Sequence, residues 1–118
     1  GATAGIGLVT ARELARRGAT VVLVGRSDAR GAAALDAVRA AAPGADASFL
    51  RADLAVQAEV RACAAELRAR HAAIHVLVNN AGAVFDRREE TVDGIERTLA
   101  LNHMAYFLLT RELLAPLR

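Results

Sequence analysis

Gly1-Ala2-Thr3-Ala4-Gly5-Ile6-Gly7 opens the chain, and an apolar helical pattern follows at once. Three glycines at spacings of four and two, running into a helix, ask for a backbone that turns tightly and lets another group approach closely. A helix start presents unpaired N–H groups and a partial positive charge, so its natural guest is a phosphate. The stretch reads as the pyrophosphate cradle of a dinucleotide site. An ordinary glycine-rich turn before a helix is the plainer alternative, because Thr10 stands where the third glycine of G-x-G-x-x-G would be. The residues further along must decide between them.

Outward from this stretch the pattern is helical from Ile6 to Arg17, with Ala11, Leu14 and Ala15 as a small-residue face. Arg16 and Arg17 suit the negative end of the helix dipole, and Gly18 suits the C-cap. Thr20–Val24 is a short β-branched run of the kind found in a parallel strand buried on both faces. A second helix is expected from about Asp28 to Ala42, broken by Pro43-Gly44. Ala47–Ala52 reads as a strand ending at Asp53. Val56, Val60, Cys63, Ala64 and Leu67 recur at helical spacing over about 56–70. Ile74–Val78 reads as a third short strand, stopped by Asn79-Asn80-Ala81-Gly82, and a last helix is expected from Thr91 or Val92 almost to the end.

Strands alternating with helices over short connections imply βαβ units with right-handed crossovers. The predicted fold class is α/β, a Rossmann-type doubly wound parallel sheet over residues 1–118. It is expected to be incomplete. In the strand order 3-2-1-4-5-6 the first strand would precede Gly1 and lie between 20–24 and 74–78. Without it the sheet has a central gap, so the 118 residues alone are not expected to form a stable domain. Ligands of such sheets sit beyond the carboxyl ends of the strands. That singles out Gly25-Arg26-Ser27, Asp53-Leu54 and Asn79-Asn80-Ala81-Gly82.

Arg26 is the sharpest of these. It follows the strand at 20–24, the second of the full strand order, about 20 residues after the glycines, where an NAD site wants an acid for the ribose hydroxyl. No acid stands at 24–26. An arginine there can pair with the 2′-phosphate of NADP, a charge-assisted bond worth about 1.5–3 kcal/mol. The plainer alternative is a solvated surface arginine. The expected coenzyme is NADP(H), with NAD second.

With these motifs in hand the chain resembles the short-chain dehydrogenase/reductase family. Gly1–Gly7 matches that family's T-G-x-x-x-G-x-G without the leading threonine. Asp53-Leu54, Asn79-Asn80-Ala81-Gly82 and Leu101-Asn102-His103 match its further motifs in order. The stretch from Thr91 to Glu96, with Asn102-His103 and Phe107-Leu108-Leu109-Thr110, is most similar to the retinol dehydrogenase and protochlorophyllide reductase branch. The resemblance implies that Gly1, Thr3, Ala4, Gly5, Ile6 and Gly7 line the pyrophosphate. It implies that Asp53 bonds the adenine with Leu54 packed beside it, and that Asn80, Ala81 and Gly82 run along the ribose toward the nicotinamide. Asn79 would tie neighbouring strands together. A turn after a strand is the bland alternative for Asn79–Gly82, since Asn and Gly tolerate left-handed conformations.

Asn102 carries a separate argument. Ile95, Leu99, Asn102, Tyr106, Leu109 and Leu113 fall on one helical stripe, which puts an amide on the core side. Burying it unpaired costs about 1–3 kcal/mol. A kinked-helix carbonyl, an ordered water or the family's proton relay could satisfy it, the last making Asn102 catalytic; a core asparagine bonded to backbone is the alternative. The family's remaining acid/base set is a serine, a tyrosine and a lysine four residues after the tyrosine. The chain has no lysine, its one tyrosine, Tyr106, is followed four residues on by Thr110, and its serines are Ser27 and Ser48. These residues alone are expected to bind coenzyme at best. The parent protein is expected to be an NADP-dependent oxidoreductase acting on a carbonyl or alcohol substrate, with a non-catalytic binding module as the other reading.

Composition bounds the rest. The net charge of +2 gives no reason to expect nucleic acid or an anionic membrane as partner. No apolar run is long enough to span a bilayer, and no leader pattern is visible. One cysteine, Cys63, fits a reducing compartment, so a cytoplasmic location is expected. His71 and His75 straddle a helix end and a strand start, so no metal site is expected. A homo-oligomeric parent is left open.

Overall fold

The computed structural model describes residues 1–118, which divide into two compact units, Gly1–Ala52 and Asp53–Arg118. The first unit runs α1 (Gly5–Arg16), β1 (Val21–Gly25), α2 (Asp28–Ala41) and β2 (Ala47–Arg51). β1 and β2 pair in parallel, with Val21 opposite Ala47 and Gly25 opposite Arg51. Parallel neighbours need a crossover, and α2 supplies it. The core joins Ala11 and Ala15 of α1, Val21 and Leu23 of β1, Ala34 and Val38 of α2, and Ala47 of β2. Alanines on both helices allow close approach. Gly31 of α2 goes further, since a Cβ there would collide with the ring of Phe49.

α1 stops as its sequence suggests. Gly18 takes φ +83. Its N–H donates to the Ala15 carbonyl at 3.0 Å, and the Ala19 N–H donates to the Leu14 carbonyl at 3.1 Å. These two bonds form a Schellman stop, and glycine is the residue that enters the left-handed region without strain.

The second unit holds α3 (Gln57–Arg70), a short α4 (Arg97–Leu99), a π-helical turn (Ala100–Met104) and α5 (Ala105–Glu112). α3 buries Val60, Cys63, Ala64 and Leu67 and packs against α5, which buries Ala105, Leu108 and Leu109. Arg68 of α3 donates to the backbone carbonyl of Glu112 and, at 3.1 Å, to its carboxylate. No helix is long and apolar enough to cross a membrane.

Three expectations need correction. Residues 74–78 do not form a ladder strand: only Ile74 pairs, in a single parallel bridge to Leu117. The apolar run is there, but a strand exists only with a neighbour to bond, and the sheet has two strands, β1 and β2. The last helix begins at Arg97 rather than at 91 or 92. Before it, the chain makes a tight loop in which the Gly94 N–H donates to the Thr91 carbonyl and Glu90 bridges Glu96. Gly94 sits at φ +70, which no helix allows. Finally, Leu99 is 49% exposed instead of facing the core. The π turn inserts one residue per turn, so the buried positions Ala100 and Ala105 are five apart and the stripe rotates away from Leu99.

Candidate coenzyme-binding site

In the first unit the site elements meet at the carboxyl end of β1. The amino group of Gly1 donates to the Val24 carbonyl at 2.9 Å, and the Ala2 N–H reaches the same oxygen at 3.4 Å. These bonds lay the start of the glycine stretch beside the end of β1. A Cβ at Gly25 would stand 3.0 Å from the Thr3 methyl, so the strand end is glycine where Thr3 closes on it. Arg26 follows immediately, exposed and without an ion pair.

The start of α1 is chemically open. Ala4 is the N-cap, extended at φ −158; no side chain caps the helix, and its first turn holds no acid. Gly5 takes φ +53, and a Cβ there would project into free space. Ala4, Gly5 and Ile6 are exposed, while Gly7 is buried. The other helix starts differ. At α2 the Ser27 hydroxyl accepts from the Arg30 N–H at 3.3 Å, with Asp28 in the first turn. At α3 the Gln57 N–H donates to Asp93 at 2.8 Å. At α4 the carboxylate of Glu96 accepts from the Thr98 and Leu99 N–H groups at 2.8 and 2.9 Å. These two bonds hold the Glu96 carboxyl below its ordinary range, with Arg88 adding to them.

In the second unit Asp53 is held by its own turn. Its Oδ1 accepts from the Ala55 N–H at 2.9 Å, and its N–H donates to Glu59 at 2.7 Å. Both Asp53 and Leu54 are half-buried. The segment Asn79–Phe85 contains no turn or bend, and no asparagine has positive φ. The bland turn reading of Asn79–Gly82 is therefore overturned. The Asn79 amide donates to Thr110 Oγ1 at 3.2 Å, so Asn79 ties the segment to α5 and not to a neighbouring strand. The Tyr106 hydroxyl donates to the Ala81 carbonyl.

Asn102 lies in the π turn and is half-buried. Its Oδ1 accepts from the Ala83 N–H at 3.0 Å, and its Nδ2 donates to the Ala83 carbonyl at 2.9 Å. The half-buried amide is thus satisfied by the backbone of Ala83. A Cβ at Gly82 would stand 3.3 Å from the Asn102 oxygen, so the chain passes close there.

Sequence reasoning missed Tyr106 and Thr110, reading the tyrosine as core packing. The signal for them was the four-residue spacing of the polar side chains Asn102, Tyr106 and Thr110. Cys63 is buried beside Glu66, and both effects raise its thiol to about 11, which leaves it inert as a nucleophile.

A family model described as short chain dehydrogenase matches residues 1–118. The chain belongs to the short-chain dehydrogenase/reductase family. It is 48% identical over 118 residues to mouse (Mus musculus) polyprenol dehydrogenase and 40% identical to bovine (Bos taurus) retinol dehydrogenase 12. Each match covers the whole chain but only 35% and 37% of the respective relative, so the chain spans little more than a third of their length.

Solved members of the family share the architecture. A crystal structure of an uncharacterized protein from Mycobacterium Paratuberculosis matches with a TM-score of 0.85 at 40% identity, over 99% of this chain and 40% of that one. A short-chain dehydrogenase from Sphingobium yanoikuyae in complex with NADPH matches with a TM-score of 0.79 at 37% identity, over 95% and 44%. An NADH-dependent reductase complexed with NAD matches with a TM-score of 0.76 at 36% identity, over 95% and 47%. The chain has part of the family's Rossmann-type α/β fold, the incomplete arrangement read from the sequence.

Proposed function

We propose that residues 1–118 are the coenzyme-binding part of an NADP(H)-dependent oxidoreductase that moves a hydride between nicotinamide and a carbonyl or alcohol carbon. One observation carries the reading: an uncapped, acid-free, glycine-lined start of α1 in the same unit as an exposed arginine beyond β1. The donor chemistry fits a dinucleotide. The first N–H groups of α1 suit a diphosphate, and the left-handed Gly5 leaves free space where a side chain would project. Gly1, Thr3, Ala4, Gly5, Ile6 and Gly7 would hold the diphosphate. Arg26, bound to no carboxylate, would pair with a 2′-phosphate.

In the second unit Asp53 would bond the adenine amine with Leu54 alongside, and its Asx-type turn fixes the carboxylate for that task. Asn80, Ala81 and Gly82 would follow the ribose toward the nicotinamide. Asn102 is assigned to the family's proton relay, and it holds that segment through Ala83. The coenzyme supplies the hydride chemistry when bound; the protein binds and orients it. Relatives named as polyprenol and retinol dehydrogenases support a carbonyl or alcohol substrate.

Within these residues Tyr106 is not the family's acid/base. Its hydroxyl is committed to the Ala81 carbonyl, and no lysine follows it. The 118 residues alone are therefore proposed to turn over no substrate. The test is calorimetric titration of the full-length protein with NADPH and NADH. Tight NADPH binding, weakened in Arg26→Ala with NADH little changed, is the expected result. Affinity for neither coenzyme would overturn the proposal.

A further inference from the structure

The polar contacts between the last helical segment and the 79–83 stretch form a regular clasp. Asn102, Tyr106 and Thr110 lie four residues apart, and they meet Ala83, Ala81 and Asn79, which lie two apart. Four helical residues rise about 6 Å, and two extended residues rise about 6.6 Å, so the two repeats run nearly in step. In an extended chain the N–H and C=O of one residue point to one edge and those of the next to the other. The clasp takes the backbone edge of Ala81 and Ala83. Asn102 bonds both the N–H and the carbonyl of Ala83, as a neighbouring strand would.

We propose that Tyr106 and Thr110 are positioning residues that, with Asn102, set the register of the 79–83 segment and so aim the opposite edge, carried by Asn80 and Gly82, at the coenzyme. This rests on the coenzyme reading of Asn80–Gly82 given above. A slip of one residue would exchange the two edges, turning toward the helix the groups meant for the ligand.

The experiment compares wild-type full-length protein with Tyr106→Phe, Thr110→Val and Thr110→Ser. Coenzyme Kd is measured by calorimetry at a temperature well below each variant's melting point, and Tm is measured separately. Tyr106→Phe loses one hydroxyl and nothing else, and is expected to weaken NADPH binding about three- to tenfold in a folded protein. Thr110→Val is expected to weaken it by a similar or smaller factor, and Thr110→Ser, which keeps the hydroxyl, to restore it.

A merely structural role predicts a lower Tm with unchanged Kd in both Tyr106→Phe and Thr110→Val, and that result overturns the proposal. Should Tyr106→Phe fail to fold, the Thr110→Val and Thr110→Ser pair decides by the same criterion. Wild-type protein that binds no nicotinamide coenzyme overturns the functional reading itself. Wild-type binding with unaltered variants overturns the register role alone.

Discussion

At the start of α1 stands Ala4, with glycines after it and no carboxylate in the first turn. At the start of α2 stands Ser27, whose hydroxyl takes the Arg30 N–H, with Asp28 behind it. Both helices face the same deficit of unpaired N–H groups and the same positive dipole end. α2 meets it from its own sequence, as α4 does with Glu96. α1 does not, and its glycines keep side chains out of the space in front of it. The contrast is what the proposed diphosphate site at the start of α1 rests on.

The sharpest way to break that comparison is to make α1 resemble α2. Ala4→Asp would place a carboxylate at the N-cap, stabilising the helix by about 0.5–2 kcal/mol. The same carboxylate would oppose a diphosphate, and like charges in contact cost several kcal/mol. We expect NADPH affinity to fall by more than about 100-fold while Tm rises. A variant that gained stability and kept its affinity would show that the anion does not bind there. Arg26→Ala comes next. It should cost about 1.5–3 kcal/mol of NADPH binding, roughly 10- to 150-fold, and leave NADH almost unchanged. Equal losses for the two coenzymes would remove Arg26 from the 2′-phosphate.

The regions differ as well in how far a linear reading reaches them. α1, β1, α2, β2 and α3 lie within one residue of their expected bounds at nearly every end, because local signals govern them. Gly18, Gly25 and Pro43-Gly44 break the chain, and buried alanines and valines recur at the right period. The stretch 74–78 has an equally good apolar run, but a strand is a relation between two segments and its composition cannot supply the second. The π turn is invisible to a 3.6-residue period, so Leu99 was assigned to the core and Ala100 was not. The clasp joins residues 19 to 31 positions apart, and nothing local records it. The glycine stretch, Arg26 and Asn102 stand out in the sequence because each residue type carries its chemistry wherever it folds, and their roles toward a coenzyme rest on the proposal above.

A milder change works on the other side of the comparison. Ser27→Ala removes the cap of α2 and leaves the Arg30 N–H without its oxygen. The expected loss is about 1 kcal/mol of stability, read as a lower midpoint in urea at unchanged slope. A loss well below the usual range would mean that water replaces the hydroxyl at this exposed site at little cost.

Glu96 gives the smallest effect and the most specific signature, because it caps a helix with a charge that pH can remove. The N–H groups of Thr98 and Leu99 are the main reason its carboxyl is held below the ordinary value of 4.5. A carboxyl lowered on folding favours the folded state when ionised. Its contribution is complete above the unfolded value near 4.5 and is lost as pH falls through the lower folded value. In wild type, protection of the Thr98 and Leu99 amides against hydrogen exchange should therefore decline as the pH drops below about 4.5. In Glu96→Gln, which accepts through one uncharged oxygen, that protection should be weaker at neutral pH and flat across the same window. Protection in wild type that is equal at pH 3 and pH 6 would mean the α4 cap does not depend on charge, and the likeness drawn between a protein carboxylate here and a coenzyme phosphate at α1 would lose its electrostatic basis.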